Sequence, residues 1–384
     1  MKILMINYEY PPVGGGGGVL CRDLAEGLVD RGHEVTVITS QFRGSPPTER
    51  MNGVSVHRVP VLCRRRQNVA SMASMLSYVP LAIHRGGRLL AAGGFDLINT
   101  YFAVPSGPAG YYLSRKFRIP NVLNILGGDI YDPSKLLSPH RTPLLRATVK
   151  KMIDSADEVV AESTDIEKKA RSHYGIERRM DIIPLAVKPN SDGPADREGL
   201  DLKEDEFVLI TIGRLIKRKN LSELLDILGK IRAHVPCRLL IVGEGPERSA
   251  LAEYVSALGL DESVRFLGRV SEQRKFELLK TADLYVSAAL HEGFGIVFLE
   301  AMECGLPIVC YDRGGQTDFL SDGGTGCVIE LSNTEEFARR CCRLYEDRDE
   351  RKRISRNNGL YVKNFYVGKF VERHLEVFQK ALAS

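Results

Sequence analysis

Tryptophan is absent from the 384-residue chain, and its eight cysteines are scattered with no CxxC pair among them. That spacing excludes a zinc ribbon and gives no disulfide framework, so a reducing compartment is expected. No apolar run approaches the ~18 residues of a membrane span. The opening segment, MKILMINYEYPP, holds too short an apolar run for a secretory signal, and a cytoplasmic protein is expected. Two nucleotide fingerprints are also missing. Counted from Gly14, Gly15 or Gly16, the third glycine of GxGxxG falls on Val19, Leu20 or Cys21. The second strand-like run ends in Thr39-Ser40, without the acid that would hold a dinucleotide ribose. No GK[ST] follows the glycines, which excludes a P-loop. No DxD follows a strand-like run; Asp347 and Asp349 sit in a charged, helical stretch and read as surface.

What is present is a globular composition, 43% hydrophobic, over a length that exceeds one core. Net charge is only +4, but residues 1–188 hold 25 Lys and Arg against 17 Asp and Glu. A basic first half suits anionic partners such as phosphates, acidic glycans or an anionic membrane; it also suits a merely solvated face.

Apolar runs alternate with helical periods. KILMIN (2–7) reads as a buried strand, followed by a glycine run, a helix from about Val19 to Arg31, and the strand EVTVIT. FDLINT (95–100), NVLNIL (121–126) and EVVAES (158–163) continue the pattern. Residues 183–206 break it with proline, glycine and charge, and read as a linker. The alternation restarts at FVLITIG (207–213), and residues 333–384 read as mostly helical. Two parallel-sheet α/β domains in tandem follow, with a site expected at strand carboxyl ends in the cleft between them. The segment 64–90 mixes arginines with Met, Leu, Tyr and Ile. It fits either an anionic membrane surface or, better, an amphipathic helix on the first sheet, with Pro80 interrupting its period.

Three stretches carry chemistry. GGGGG (14–18) leaves Gly15, Gly16, Gly17 and Gly18 open to a phosphate or sugar at a helix start, or forms a flexible turn. GRLIKRKN (213–220) places Gly213, Arg214 and Lys219 between a strand and a helix, where two cations can hold a diphosphate without metal. In HEGFGIVFLEAMECGLPIVC (291–310), Gly293 and Gly295 free the turn, while Glu292 and Glu300 can each accept bonds from vicinal hydroxyls.

With IVGEGPE (241–247) and VRFLG (264–268), these stretches resemble the retaining GT-B-fold glycosyltransferases of family 4. The resemblance covers nearly the whole chain and centres on the E-x7-E motif with its GFG and trailing G-x-P. It implies two Rossmann-like domains facing each other across a cleft. The first would be an acceptor domain of residues 1–187, joined by a C-terminal helix of about 366–384. The second would be a donor domain of residues 188–365. It further implies a metal-independent hexosyltransferase without cofactor, which takes a nucleoside diphosphate sugar as substrate, UDP-linked by default and GDP-linked next. Arg214 and Lys219 would stabilise the departing diphosphate. Glu300 would hold the ribose, and Glu292 with the backbone of Gly293, Phe294 and Gly295 the donor sugar. Gly243, Arg269 and Val270 would flank the base. GGQTD (314–318) resembles the family's phosphate-side loop, with Asp318 where glutamate is usual. Gly15 to Gly18 and Asp129 would serve the acceptor.

One departure is marked: ILGGDI (125–130) has Leu126 where many members carry histidine, so no catalytic histidine is assigned. A lipid-linked or polysaccharide precursor in envelope synthesis is the expected acceptor, with peripheral membrane placement. The alternatives are a nucleotide-sugar epimerase and transfer to a small phosphorylated acceptor. No nucleic-acid partner is expected. A nicotinamide oxidoreductase is disfavoured by the failed dinucleotide fingerprint.

Overall fold

The run Ile3-Leu4-Met5-Ile6 is buried on every side chain, as a strand must be when helices cover both faces of its sheet. It forms β1 (Lys2–Ile6), the centre of the first sheet. The computed structural model describes residues 1–64, 70–134, 138–190, 193–203 and 206–383. The chain divides into two compact units, 1–186 with 367–384, and 187–366.

In the first unit β1 is joined by β2 (Glu34–Ser40), β3 (Thr48–Met51), β4 (Val54–Val59), β5 (Leu97–Tyr101), β6 (Asn121–Ile125), β7 (Glu158–Ala161) and β8 (Asp181–Ile182). Their order is β3-β4-β2-β1-β5-β6-β7-β8, all parallel except the β3–β4 pair. The order reverses direction between β1 and β5, where such sheets open a crevice at their carboxyl ends. The second unit holds β9 (Phe207–Ile212), β10 (Cys237–Val242), β11 (Val264–Gly268), β12 (Leu284–Ser287), β13 (Ile308–Tyr311) and β14 (Gly326–Ile329), ordered β11-β10-β9-β12-β13-β14 and fully parallel. Its switch point lies between β9 and β12. Both sheets are thus the α/β kind that the alternation implied, and β3, β4, β8 and β14 are additions to it.

Three local readings change. The first helix begins at Gly16, not Val19: Gly18 and Val19 both donate to the Gly15 carbonyl, so the glycines form its first turn. The helix Met72–Ala91 runs through Pro80, which sits on the solvent face, where water can serve the carbonyl its missing N–H leaves free. That helix buries Ser74, Tyr78, Ala82, Gly86 and Leu90, spaced four apart, and Tyr78 donates to the Ile38 carbonyl 3.0 Å away. It therefore covers the first sheet. Residues 65–69 of the arginine-rich segment lie outside the described residues.

The described part of the expected linker is packed rather than free. Asp196 accepts from Arg274 at 2.6 Å, and its amide donates to Thr281 Oγ1 at 2.8 Å. Arg197 donates to the carbonyls of Lys203 and Glu206, and Leu200 is buried. Residues 191–192 and 204–205 of that stretch lie outside the described residues.

The last helix, Val367–Ala383, belongs to the first unit. A Cβ on Gly27 would lie 2.6 Å from Val371, so glycine there permits the close packing of the first and last helices. His374 is fully buried and its Nε2 lies 3.1 Å from Asn124 Oδ1. All eight cysteines are free. Among the described residues no helix is long and apolar enough to cross a membrane.

Candidate active site

The second unit assembles its charged residues at the switch point. The loop after β9 carries Gly213, Arg214, Arg218 and Lys219; the loop after β12 carries Glu292 and the GFG turn. Parallel strands bring both loops to the same edge, which is why residues over seventy positions apart in sequence meet there. Lys219 Nζ is ion-paired with Glu292 Oε1. Arg218, absent from the sequence reading although it lies within the 213–220 run, sits 3.5 Å from Glu292 Oε2 and donates to the His291 carbonyl at 2.7 Å. Glu292 is buried. Burial pushes its carboxyl up, but Lys219 and Arg218 outweigh that and hold it below its ordinary value. Arg214 is exposed and forms no ion pair among the described residues, so a cation stands open beside the paired ones.

The GFG turn is locked from below. Gly315 donates to the Glu292 carbonyl at 2.9 Å, and Glu292 forms a bridge with Gly314. A Cβ on Gly314 would lie 2.0 Å from that same carbonyl, so the GGQTD loop must start with glycine to pass so close. Phe294 points its ring into the core, 4.7 Å from Phe319, so its side chain is not offered to a ligand. Gly295 has φ +88° and opens the helix Ile296–Glu303.

Glu300 lies on that helix and is also buried, yet it does not share Lys219. Its Oε1 accepts from Lys275 Nζ at 2.7 Å, while Oε2 has no hydrogen-bond partner among the described residues. Burial raises its carboxyl above the ordinary value, with Lys275 acting against that shift. A charge on so apolar a helix is held there by Lys275, which the sequence reading did not single out. No spacing rule links residues 275 and 300.

The other residues expected to flank the donor lie in the loops that follow β9, β10 and β11. Gly213 donates to the Val242 carbonyl and Gly243 to the Gly268 carbonyl. A Cβ on Gly243, at φ +134°, would sit 1.9 Å from the Gly213 carbonyl oxygen. Arg269 is exposed and Val270 half-buried in the loop that follows β11. Asp347 does not approach this site; its carboxylate caps the helix Arg348–Tyr361 by accepting from the Glu350 amide at 2.8 Å.

In the first unit the glycine loop follows β1. Glu9 Oε2 accepts from the Gly15 amide at 3.0 Å, and Asn7 donates to the Gly17 carbonyl at 3.3 Å. A Cβ on Gly15 or Gly16 would meet nothing, whereas one on Gly17 would reach 2.4 Å from Phe102 and 3.1 Å from Leu126. Two apolar side chains therefore floor the loop where the family histidine is replaced. Asp129 is buried, and its two oxygens accept from the Ala103 and Leu126 amides at 2.6 and 2.9 Å. Burial raises its carboxyl to about 7 against those two bonds. Both of its oxygens are thus engaged in shaping the 126–130 turn. Among the described residues there is no group of three or more His, Cys, Asp or Glu that could hold a metal ion.

This arrangement agrees with comparisons to known proteins. A family profile described as glycosyl transferases group 1 matches residues 192–359, and one described as glycosyl transferase 4-like domain matches residues 15–186. N-acetyl-alpha-D-glucosaminyl L-malate synthase of Bacillus anthracis is 27% identical, over 94% of this chain and 91% of its own. D-inositol 3-phosphate glycosyltransferase of Paenarthrobacter aurescens is 26% identical, over 98% and 96%. Among solved structures, sucrose-phosphate synthase from Thermosynechococcus elongatus has TM-score 0.88 at 21% identity, covering 100% of this chain and 99% of that one. HepE of Anabaena, in complex with UDP and glucose, has TM-score 0.80 at 21% identity, covering 99% of each. The two α/β units have the GT-B type of fold. The chain belongs to the family 4 glycosyltransferases.

Proposed function

We propose that this glycosyltransferase takes its sugar from a nucleoside diphosphate donor held by the second unit, and transfers it with retention and without metal. The observation that carries the reading is the pairing pattern at one sheet edge: Glu292 with Lys219 and Arg218, Glu300 with Lys275, and Arg214 without an ion pair among the described residues. Cations beside a leaving diphosphate stabilise the charge that builds as the anomeric bond breaks, which is the dominant electrostatic route to catalysis in such transfers. Glu300 Oε2 suits the ribose hydroxyls, and Glu292 with the GFG backbone the donor sugar. UDP is the favoured carrier, supported by HepE having been crystallised with it. No group on the sugar's reacting face is assigned as a nucleophile; the departing phosphate would take the acceptor's proton as the new bond forms.

A small anionic acceptor is the favoured class. The matched relatives are named for malate and inositol 3-phosphate, and Gly15 and Gly16 leave open space at a helix N-terminus. A lipid-linked acceptor at a membrane surface is the second reading. It draws on exposed Leu62, Met72 and Leu76, but Arg64 gives it no charge: that guanidinium is buried 4.8 Å from the Tyr8 ring centre and donates to Ser40 at 2.9 Å.

The test is transfer from UDP-, GDP- and ADP-sugars to malate, inositol phosphates and lipid-linked glycans, with the product anomer read by NMR. Glu300→Ala and Lys219→Ala are each expected to lower kcat/KM at least ~100-fold, about 2.7 kcal/mol. Near-wild-type rates in either variant, or an inverted anomer, would overturn the respective part.

A further inference from the structure

A carboxylate buried on an apolar helix is stable only with a partner, because an isolated charge there would give up its ionisation instead. Glu300 has one such partner, Lys275, from the neighbouring helix Glu272–Thr281. The Lys275 ammonium is itself mostly buried and lies 2.7 Å from Glu300 Oε1 and 2.8 Å from Glu272 Oε2. Two of its three donors are therefore spent, and the third is available. Glu300 Oε2 is left as an acceptor without a donor among the described residues, although buried acceptors are rarely left so in folded proteins. A free acceptor and a free donor side by side are the complement of a vicinal diol, in which one hydroxyl gives a hydrogen bond and the other receives one.

We infer that Lys275 is a positioning residue for nucleotide recognition: it commits one Glu300 oxygen, keeps the carboxylate charged, and with the other oxygen reads the ribose diol. This rests on the donor-site reading above and adds a residue to it. The groups that face Glu300 from the surrounding elements are few. Lys275 and Glu272 stand on the neighbouring helix, Tyr285 on β12, and Cys304 at the end of the helix that bears Glu300. Burial raises the Tyr285 hydroxyl and pushes the Cys304 thiol up to about 12, so both are neutral at working pH. Glu272 is largely exposed and of like sign. Lys275 is thus the cation on which the charge of Glu300 depends.

The experiment is calorimetric titration of the full chain with UDP, GDP and ADP and their 2′-deoxy counterparts, across about pH 6 to 8. The wild type is expected to bind one ribonucleotide, to disfavour its deoxy form at least ~10-fold, and to show little pH dependence. In Lys275→Met the affinity is expected to fall ~10-fold at neutral pH and the ribose preference to shrink. Affinity then recovers as pH rises, because Glu300 now ionises only at higher pH. Lys275→Arg restores the wild-type profile. Should Lys275→Met fail to fold by circular dichroism, Lys275→Gln, which removes the charge and keeps a donor, is read in its place. Lys275 variants that keep the wild-type affinity, pH profile and ribose preference would overturn the inference while leaving the donor site standing. A wild type that binds none of the nucleotides would overturn both.

Discussion

The ammonium of Lys219 is paired with the carboxylate of Glu292, across two loops that follow β9 and β12 of one parallel sheet. The pair joins the residue proposed above for the leaving phosphate to the one proposed for the donor sugar. Removing Lys219 leaves a buried carboxylate whose one remaining ion-pair partner among the described residues is Arg218 at 3.5 Å. Lys219→Met is therefore expected to cost about 2 to 3 kcal/mol of stability, somewhat under the loss for a fully abandoned buried charge. The double variant Lys219→Met, Glu292→Gln regains most of that stability in urea unfolding, yet remains inactive. Recovery of activity together with stability would show that the pair is structural only.

Glycines at the two loop edges separate into two kinds. Gly243→Ala places a methyl 1.9 Å from the Gly213 carbonyl oxygen at positive φ. It is expected to destabilise by roughly 2 kcal/mol or more. Gly15→Ala and Gly16→Ala meet open space, so stability is expected to stay within about 0.5 kcal/mol. Their cost falls on transfer instead, about tenfold or more in kcat/KM if the acceptor approaches that backbone. Unchanged transfer in both would move the acceptor away from the loop.

His374 gives a pH prediction with a definite sign. Burial lowers its pKa to about 4, against an unfolded value near 6.5. Between those values the unfolded chain binds more protons, so stability is full above about pH 6.5 and is lost as pH falls toward 4. The span corresponds to about 3 kcal/mol. Unfolding in urea at stepped pH checks this: His374→Gln is expected to flatten the decline relative to wild type. An equal slope in both would mean that other groups dominate.

Activity is expected to persist in EDTA, because the proposed diphosphate contacts are Arg214, Lys219 and neighbouring amides. Strict dependence of transfer on added Mg²⁺ would mean the phosphates are held in another way.

Much of this was legible because it is local in sequence. The E-x7-E spacing, the GFG turn and the 213–220 run each lie on one loop, and the strand–helix alternation gave the α/β class of both units. What escaped is non-local or dependent on close packing. Lys275 meets Glu300 only because two helices lie side by side above the sheet. Asp129 looked available until its oxygens proved engaged with the Ala103 and Leu126 amides. The stretch beginning near residue 183 looked free because Pro, Gly and charge dominate it, whereas Asp196 and Arg197 tie it to the helix Glu272–Thr281 and to Glu206, just before β9. The strand β3, TERM, has no apolar run to mark it, unlike the equally short β7, EVVA.

The most direct test of the central claim, that the second unit binds a nucleoside diphosphate sugar, is a thermal-shift screen in EDTA. UDP, GDP, ADP, their common sugars and NAD would be compared at equal concentration. A ligand at ~100 times its Kd adds about 2.7 kcal/mol of stability. The account predicts a clear rise in Tm with one nucleoside diphosphate family and its sugars, and none with NAD. A rise with NAD alone, or with no nucleotide at all, would contradict it.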